Sequence, residues 1–418
     1  MKSQFGNCLI GQSGGPTAAI NATLLGVVEA AIEAKEIKRI YGMIHGIEGV
    51  LRNEIVDLSA EDPEELARLK YTPSAILGSC RYKLGDYKIE NTDYADILNT
   101  LRNYNIRYFF YIGGNDSMDT CNKISRYLSE VNYPCHVIGI PKTIDNDLVG
   151  TDHCPGYGSA AKFIATACME LKLDTQVYRT PTVNIIEIMG RHAGWLAGAS
   201  ALGNTMYGAG PDLVYLPERA FDIEQFYSDI KRIVTKNGCC VVAVSEGIHY
   251  ANGSFIQDIP TADGDGFGHV QLGGLGVYLA DLVKKELHYK ARGIELSLLQ
   301  RCSTHCASET DLNESILTGR SAVALALSGK TNVMVGFVRI EKNGSYAVTT
   351  TEIPLNSVAN FEKKVPIEWI NKAGNGVTQS FIDYALPLIQ GEPKRELQQS
   401  LPHFTHLRRI SVTQSEEK

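Results

Sequence analysis

The chain has 418 residues, 44% apolar and 21% charged, with a formal net charge of −7. That length predicts two or three lobes around sizeable cores. The negative balance argues against non-specific binding to nucleic acid or anionic membranes, and leaves a local basic cleft as the place for anions. The N-terminus does not read as a secretory leader, and no run of about 18 apolar residues offers a membrane span.

Elements alternate along the chain. "QFGNCLIG" reads as a strand, followed by a glycine turn and a helix over "PTAAINATLLGVVEAAIEA", with Pro16 near its first turn. "IKRIYGMI" is the next strand. "IRYFFYIGG" and "CHVIGI" are strands separated by the helical "SMDTCNKISRYLSEV". Later strands are "TVNIIEIMG", "PDLVYLP", "CCVVAVSEG" and "TNVMVGFVRI", most of them separated by helices. Continuous apolar strands alternating with helices predict an α/β fold of parallel sheets covered on both faces. The turn-rich "LVGTDHCPGYGS" marks the boundary between lobes, and the tail "RRISVTQSEEK" reads as polar and frayed.

The ten cysteines are scattered, many of them inside apolar runs. This is the usage of reduced thiols in a cytoplasmic protein. "CSTHC" has metal-like spacing but no matching second pair, so ordinary packing is preferred over zinc.

Three turns in the first half carry chemistry. Ligands of open α/β sheets bind at the carboxyl ends of strands. "GQSGGPTAA" offers glycines and a helix N-terminus to a phosphate, although a plain tight turn reads equally well. "GGNDSMDT" puts two glycines before carboxamide, carboxylate and hydroxyl groups, and Ser117 there would also serve as a helix cap. "PKTIDND" sets Asp145 and Asp147 two residues apart. In an extended loop both would face one way, one taking a proton and the other helping to hold Mg²⁺. Lys142 would neutralise phosphate and Thr143 would donate to it. Further along, Arg191 follows a strand-end glycine as an anion clamp, and Glu246 ends a strand where sugar hydroxyls would bind. His192 reads as a packing or hydrogen-bonding residue rather than a ligand.

Taken together, "SGG", "LGSCR", "GGNDS", "PKTIDND", "GTDHCPGYGSA", "EIMGRHAGWLA", "SEG" and "QR" resemble, in order, the motifs of the phosphofructokinases. The resemblance implies two Rossmann-like three-layer lobes with the active site between them. Residues 1–156 with about 300–365 would form a phosphate-donor lobe, and 157–299 with about 366–418 a sugar-phosphate lobe. It implies Asp145 as general base toward the sugar 1-hydroxyl, Asp147 as its partner near Mg²⁺, and Thr143 holding the transferred group, with Arg191 completing the catalytic set. Gly14, Gly15, Arg81, Gly114, Asp116, Ser117 and Lys142 would bind the donor. Met189, Gly190, Arg191 and Glu246 would form the sugar pocket, and Arg292 and Arg301 would grip the 6-phosphate. One of those arginines comes from a neighbouring subunit in the family, so a homodimer or homotetramer is implied.

Members that use ATP usually carry glycine where Asp116 and Lys142 stand. The carboxylate would repel a nucleotide α-phosphate, and the lysine suits a small, highly charged anion, so the pair resembles the pyrophosphate-dependent branch. Fructose 6-phosphate and pyrophosphate are then the expected substrates. Three positions depart from the pattern: Asn115, whose carboxamide oxygen would still approach Mg²⁺ beside Asp147, replaces a metal-associated aspartate, Thr182 a phosphate-binding arginine, and Leu298 a sugar-contacting ring. They leave sedoheptulose 7-phosphate open as an acceptor. The competing readings are an ATP-dependent kinase and a non-catalytic sugar-phosphate or nucleotide sensor, the latter disfavoured because a sensor needs no general base. A Rossmann dehydrogenase fails for want of G-x-G-x-x-G.

Overall fold

The structure, a computed structural model, describes residues 4–257 and 273–412, so the expected frayed tail lies outside the described residues from position 413 onward. Its principal strands are β1 (Gly6–Gln12), β2 (Ile37–Met43), β3 (Ile55–Asp57), β4 (Ile106–Gly113), β5 (His136–Pro141), β6 (Thr182–Ile188), β7 (Leu213–Tyr215), β8 (Cys239–Ser245), β9 (Lys290–Glu295), β10 (Val333–Lys342) and β11 (Ser345–Pro354). They form two sheets, ordered β11-β10-β5-β4-β1-β2-β3 and β7-β8-β6-β9. The second sheet is wholly parallel. The first is parallel in its centre and antiparallel at both edges, where β2 meets β3 and β10 meets β11.

The continuous apolar runs are the central strands. Every residue of β1, β6 and β8 is buried, because helices cover both faces. The helices Ile20–Glu33 and Glu309–Leu327 share one face of the first sheet and cross where Gly26 meets Gly319. A methyl on Gly26 would stand 2.1 Å from the Ile316 carbonyl oxygen, so the close crossing needs glycine. This brings a helix from the last third of the chain onto the first lobe.

Several local expectations change. The first helix begins at Ile20, not near Pro16, and Thr17 Oγ1 accepts the N–H groups of Ala19 and Ile20. Gly14 has φ +75, so residues 14–17 form a loop of their own before the helix. "GGNDS" is not a loop: Asn115 already opens a helix that runs to Glu130, with Gly114 as its N-cap. Ser117 is therefore no cap. It is buried in the first turn, with its hydroxyl where a methyl on Gly113 would fall. The strands β3, β9 and β11 have short or half-polar sequences that hide them from an apolar-run reading.

The tail also departs from the expected allotment of 366–418 to the second lobe. Phe381, Ile382, Ala385 and Leu388 do pack in a second-lobe core with Trp195 and Ile186. Leu407, however, packs in the first-lobe core, and Ser411 bridges Val56 of β3 antiparallel. The chain thus returns to the lobe in which it began. Among the described residues, no helix is long and apolar enough to cross a membrane.

Candidate active site

A cleft of about 640 Å³ lies between the lobes. Its first wall comes from the carboxyl ends of β1, β4 and β5, the place where the strand order reverses around β1. Gly14 and Gly15 follow β1, Gly114 to Ser117 follow β4, and Lys142 to Asp147 follow β5; all but Asn146 line the cleft. Its second wall follows β6, with Met189 and Arg191 to Ala193, and β8, with Glu246. Arg81 and Arg301 are further basic groups named from the sequence that line the cleft, and Lys83 adds one that the sequence reading missed.

Lys142 is only 2% exposed, and its Nζ donates to the Gly15 carbonyl at 2.6 Å. Burial pulls its pKa down to about 8, opposed chiefly by the Asp145 charge. A methyl on Gly14 would lie 3.4 Å from that Nζ, and one on Gly15 3.3 Å from the Arg301 guanidinium. Glycine thus leaves the space beside two cations open to a ligand.

Asp116 sits in the first turn of the helix that follows β4. Free N–H groups at a helix start ordinarily favour a phosphate, but here a fixed carboxylate already stands in that field. Asn115 bonds in another direction from that expected of a metal ligand. Its amide donates to the Phe361 carbonyl at 2.5 Å, and its oxygen accepts the Asn360 N–H at 2.5 Å. The carboxamide secures a strap, residues 360–363, whose Asn360, Phe361 and Glu362 line the cleft. On the other side the strap is held by the Glu362–His192 pair at 2.8 Å and by the Trp195 indole N–H on the Lys363 carbonyl at 2.9 Å. The Lys363 N–H donates to the Asp147 carbonyl at 2.6 Å. Of the two roles expected for His192, hydrogen bonding is the one seen: it is a strap partner and half exposed.

Asp145 and Asp147 both reach the cleft, although the loop is not extended. Asn146 between them has φ +55 and is fully buried. Burial, and then the neighbouring Asp147 charge, push Asp145 up to about 7. Asp147 is raised as well, first by burial. Thr143 Oγ1 accepts the Asp145 N–H at 3.1 Å, fixing the start of the loop. Glu246 accepts the Gly190 N–H at 3.3 Å, and its acidity is weakened mainly by burial. Gly190 itself stands just outside the cleft lining, with φ +138 and its carbonyl bonded by the Ser245 hydroxyl. Gly247 of "SEG" is sterically required, because a methyl there would lie 1.7 Å from the Arg191 carbonyl oxygen.

Arg292 is not brought together with these groups. It lies exposed on β9, the edge strand of the second sheet, and does not line the cleft. Thr182 stands at the opposite, amino end of β6, and Leu298 is 54% exposed outside the cleft. The strap and Asn146 escaped the sequence reading. "NFEK" carries no motif, although an asparagine between two functional aspartates is itself a signal for a left-handed residue.

The sequence profile described as phosphofructokinase matches residues 7–325. The pyrophosphate–fructose 6-phosphate 1-phosphotransferase of Xanthomonas campestris is 43% identical over 410 residues, 97% of each chain. The protein of the same name from Halomonas elongata is 42% identical over 409 residues, again 97% of each. The crystal structure of a pyrophosphate-dependent phosphofructokinase from Nitrosospira multiformis superposes with a TM-score of 0.89 at 36% identity, covering 98% of both chains. This chain belongs to the phosphofructokinase family.

Proposed function

We propose that this protein is a pyrophosphate-dependent 6-phosphofructokinase. It transfers a phosphoryl group from pyrophosphate to the 1-hydroxyl of fructose 6-phosphate, giving fructose 1,6-bisphosphate and inorganic phosphate. The observation that carries the donor assignment is the pairing of Asp116, fixed at a helix start, with the buried Lys142 across the same wall. The carboxylate repels the further phosphates of a nucleotide, while the lysine, Arg81 and the open backbone of Gly14 and Gly15 attract a compact anion. The names of relatives that match nearly end to end support the same donor and acceptor.

In the reaction Asp145 takes the proton of the 1-hydroxyl as that oxygen bonds to the transferred phosphorus. The bridging P–O bond breaks, and its electron pair leaves with inorganic phosphate. Thr143 and Arg191 hold the moving group, and Lys142 offsets charge on the leaving phosphate. Glu246 and Met189 position the sugar, with Arg301 on its 6-phosphate. Arg292, exposed on an edge strand, performs its part in the cleft of a second copy, in a homodimer or homotetramer. Asp147, in the cleft beside the base Asp145, suits Mg²⁺, which binds through one or two carboxylates plus substrate phosphates. Bound there, the cation would neutralise donor charge. Asn115, engaged with the strap, is left out of that set. All ten cysteines are free thiols, in keeping with the cytoplasm.

The test is the initial rate with Mg²⁺ and fructose 6-phosphate, pyrophosphate against ATP, with sedoheptulose 7-phosphate run in parallel. Turnover with pyrophosphate alone is expected. Turnover with ATP alone would overturn the donor assignment, and a large preference for the seven-carbon sugar would overturn the acceptor.

A further inference from the structure

The residue between the two cleft aspartates has unusual surroundings. Asn146 is fully buried in the left-handed region, and both ends of its side chain are engaged. Its oxygen accepts the Cys154 N–H at 2.9 Å. Its amide donates to the Tyr384 hydroxyl at 2.7 Å, and that hydroxyl donates onward to the Asp152 carbonyl at 2.7 Å. Tyr384 lies on the helix Gln379–Ala385, which packs into the second-lobe core against Trp195, with ring centroids 5.1 Å apart.

Behind Tyr384 stands a partly buried ionic chain contributed by the first lobe. Arg339 of β10 grips the Asp152 carboxylate and donates to the Tyr384 carbonyl at 3.0 Å, with its guanidinium 4.7 Å from the Tyr384 ring centroid. Asp152 also meets His153 Nδ1 at 2.9 Å. The other ring nitrogen meets Glu314 at 2.8 Å, and Glu314 accepts the Tyr346 hydroxyl at 2.8 Å. An imidazole with a carboxylate on each nitrogen is satisfied as the cation. This chain of charges fixes Asp152, which with Arg339 fixes Tyr384. The catalytic loop is thereby tied at its middle residue to an element of the opposite lobe.

We propose that Asn146 and Tyr384 are positioning residues for phosphoryl transfer: their hydrogen bond sets the Asp145 and Asp147 carboxylates relative to the lobe that holds the acceptor. The inference rests on the reading of the cleft as a phosphotransferase site. Asn146 has no direct access to substrate, since it does not line the cleft. Its effect passes through the backbone on either side, where a displacement of about 1 Å lowers turnover on the order of 100-fold.

The test uses Tyr384→Phe, which removes one hydroxyl, and Asn146→Gly, which keeps the left-handed backbone but loses both side-chain bonds. In each, kcat per folded molecule should fall about tenfold or more while KM for pyrophosphate and for fructose 6-phosphate changes less than about threefold. The ¹³C carboxyl chemical shifts of Asp145 and Asp147, read at one fixed pH, should also move. A purely structural pair would lower the thermal midpoint and leave kcat per folded molecule and both carboxyl shifts unchanged; that result overturns the proposal. If wild type shows no turnover, the functional reading fails separately, and unmoved carboxyl shifts in Tyr384→Phe overturn this inference on their own. If Tyr384→Phe does not fold, Asn146→Gly decides, and failure of both to fold assigns the pair to stability and overturns it.

Discussion

The two walls of the cleft are built differently. The proposed donor wall comes from three neighbouring strand ends of one sheet, where Lys142 is buried and bonded and Gly14 and Gly15 open the space beside it. The acceptor wall draws on β6, β8 and the segment after β9, while one of its expected arginines, Arg292, points away on an edge strand. If Arg292 serves the cleft of a second copy, as proposed, sugar binding would be the step sensitive to assembly, and donor binding would not.

Breaking the centre of the cleft should affect both walls together. Asp145→Ala is expected to lower kcat by about 10³-fold or more, because the general base is lost, while calorimetry still shows fructose 6-phosphate binding. As the proposed base, Asp145 would act only when ionised, so kcat/KM should rise with pH through about 7. Lys142 acts only when protonated, so kcat/KM for pyrophosphate should fall above about 8. The resulting bell would lose its alkaline limb in Lys142→Gly. That variant should raise KM for pyrophosphate about 100-fold, equivalent to removing one buried charge-assisted contact, and leave the sugar KM within about twofold. Equal losses on both substrates would erase the distinction between the walls.

Arg292→Ala sharpens the contrast from the other side. It should raise KM for fructose 6-phosphate about tenfold with the pyrophosphate KM unchanged, as steady-state kinetics would show. Asn115→Ala frees one end of the strap, which touches both lobes, and should raise both KM values about threefold; an effect confined to Mg²⁺ dependence would restore the metal role to that position. The smallest effect is on stability. Because burial raises the folded-state pKa of Asp145, its ionisation weakens the fold as pH climbs from the ordinary carboxylate value through about 7. Asp145→Asn should therefore melt a few degrees above wild type at pH 8, with little difference at pH 4.

Much of this could be read from the sequence because strand-end loops carry their chemistry contiguously. "PKTIDND" places a lysine, a hydroxyl and two carboxylates within seven residues, and the strand before it fixes which end of the sheet they occupy. What stayed hidden depends on long-range contact. Asn360, Phe361 and Glu362 line the cleft where Asn115, some 245 positions earlier, and His192 hold the segment. Asn115 was read by its chemistry as a weak metal ligand, when its two-sided hydrogen-bonding capacity suits a clamp. The Asp145–Asp147 pair was expected to align through an extended backbone, whereas a left-handed Asn146 aligns them by a turn. Helix starts were misplaced for a related reason. Gly114 caps without a side chain, and Thr17 caps from inside what looked like helix.

The returning tail has a consequence for the molecule in solution. β3 is the outermost strand of the first sheet, and its free backbone edge is a template for a foreign strand. Val412 donates to the Ile55 carbonyl at 3.0 Å and Asp57 donates to the Ile410 carbonyl at 2.9 Å, so residues 410–412 occupy that edge. The segment acts as a built-in competitor against sheet-to-sheet stacking between molecules, protecting the protein's colloidal behaviour at a point remote from its chemistry.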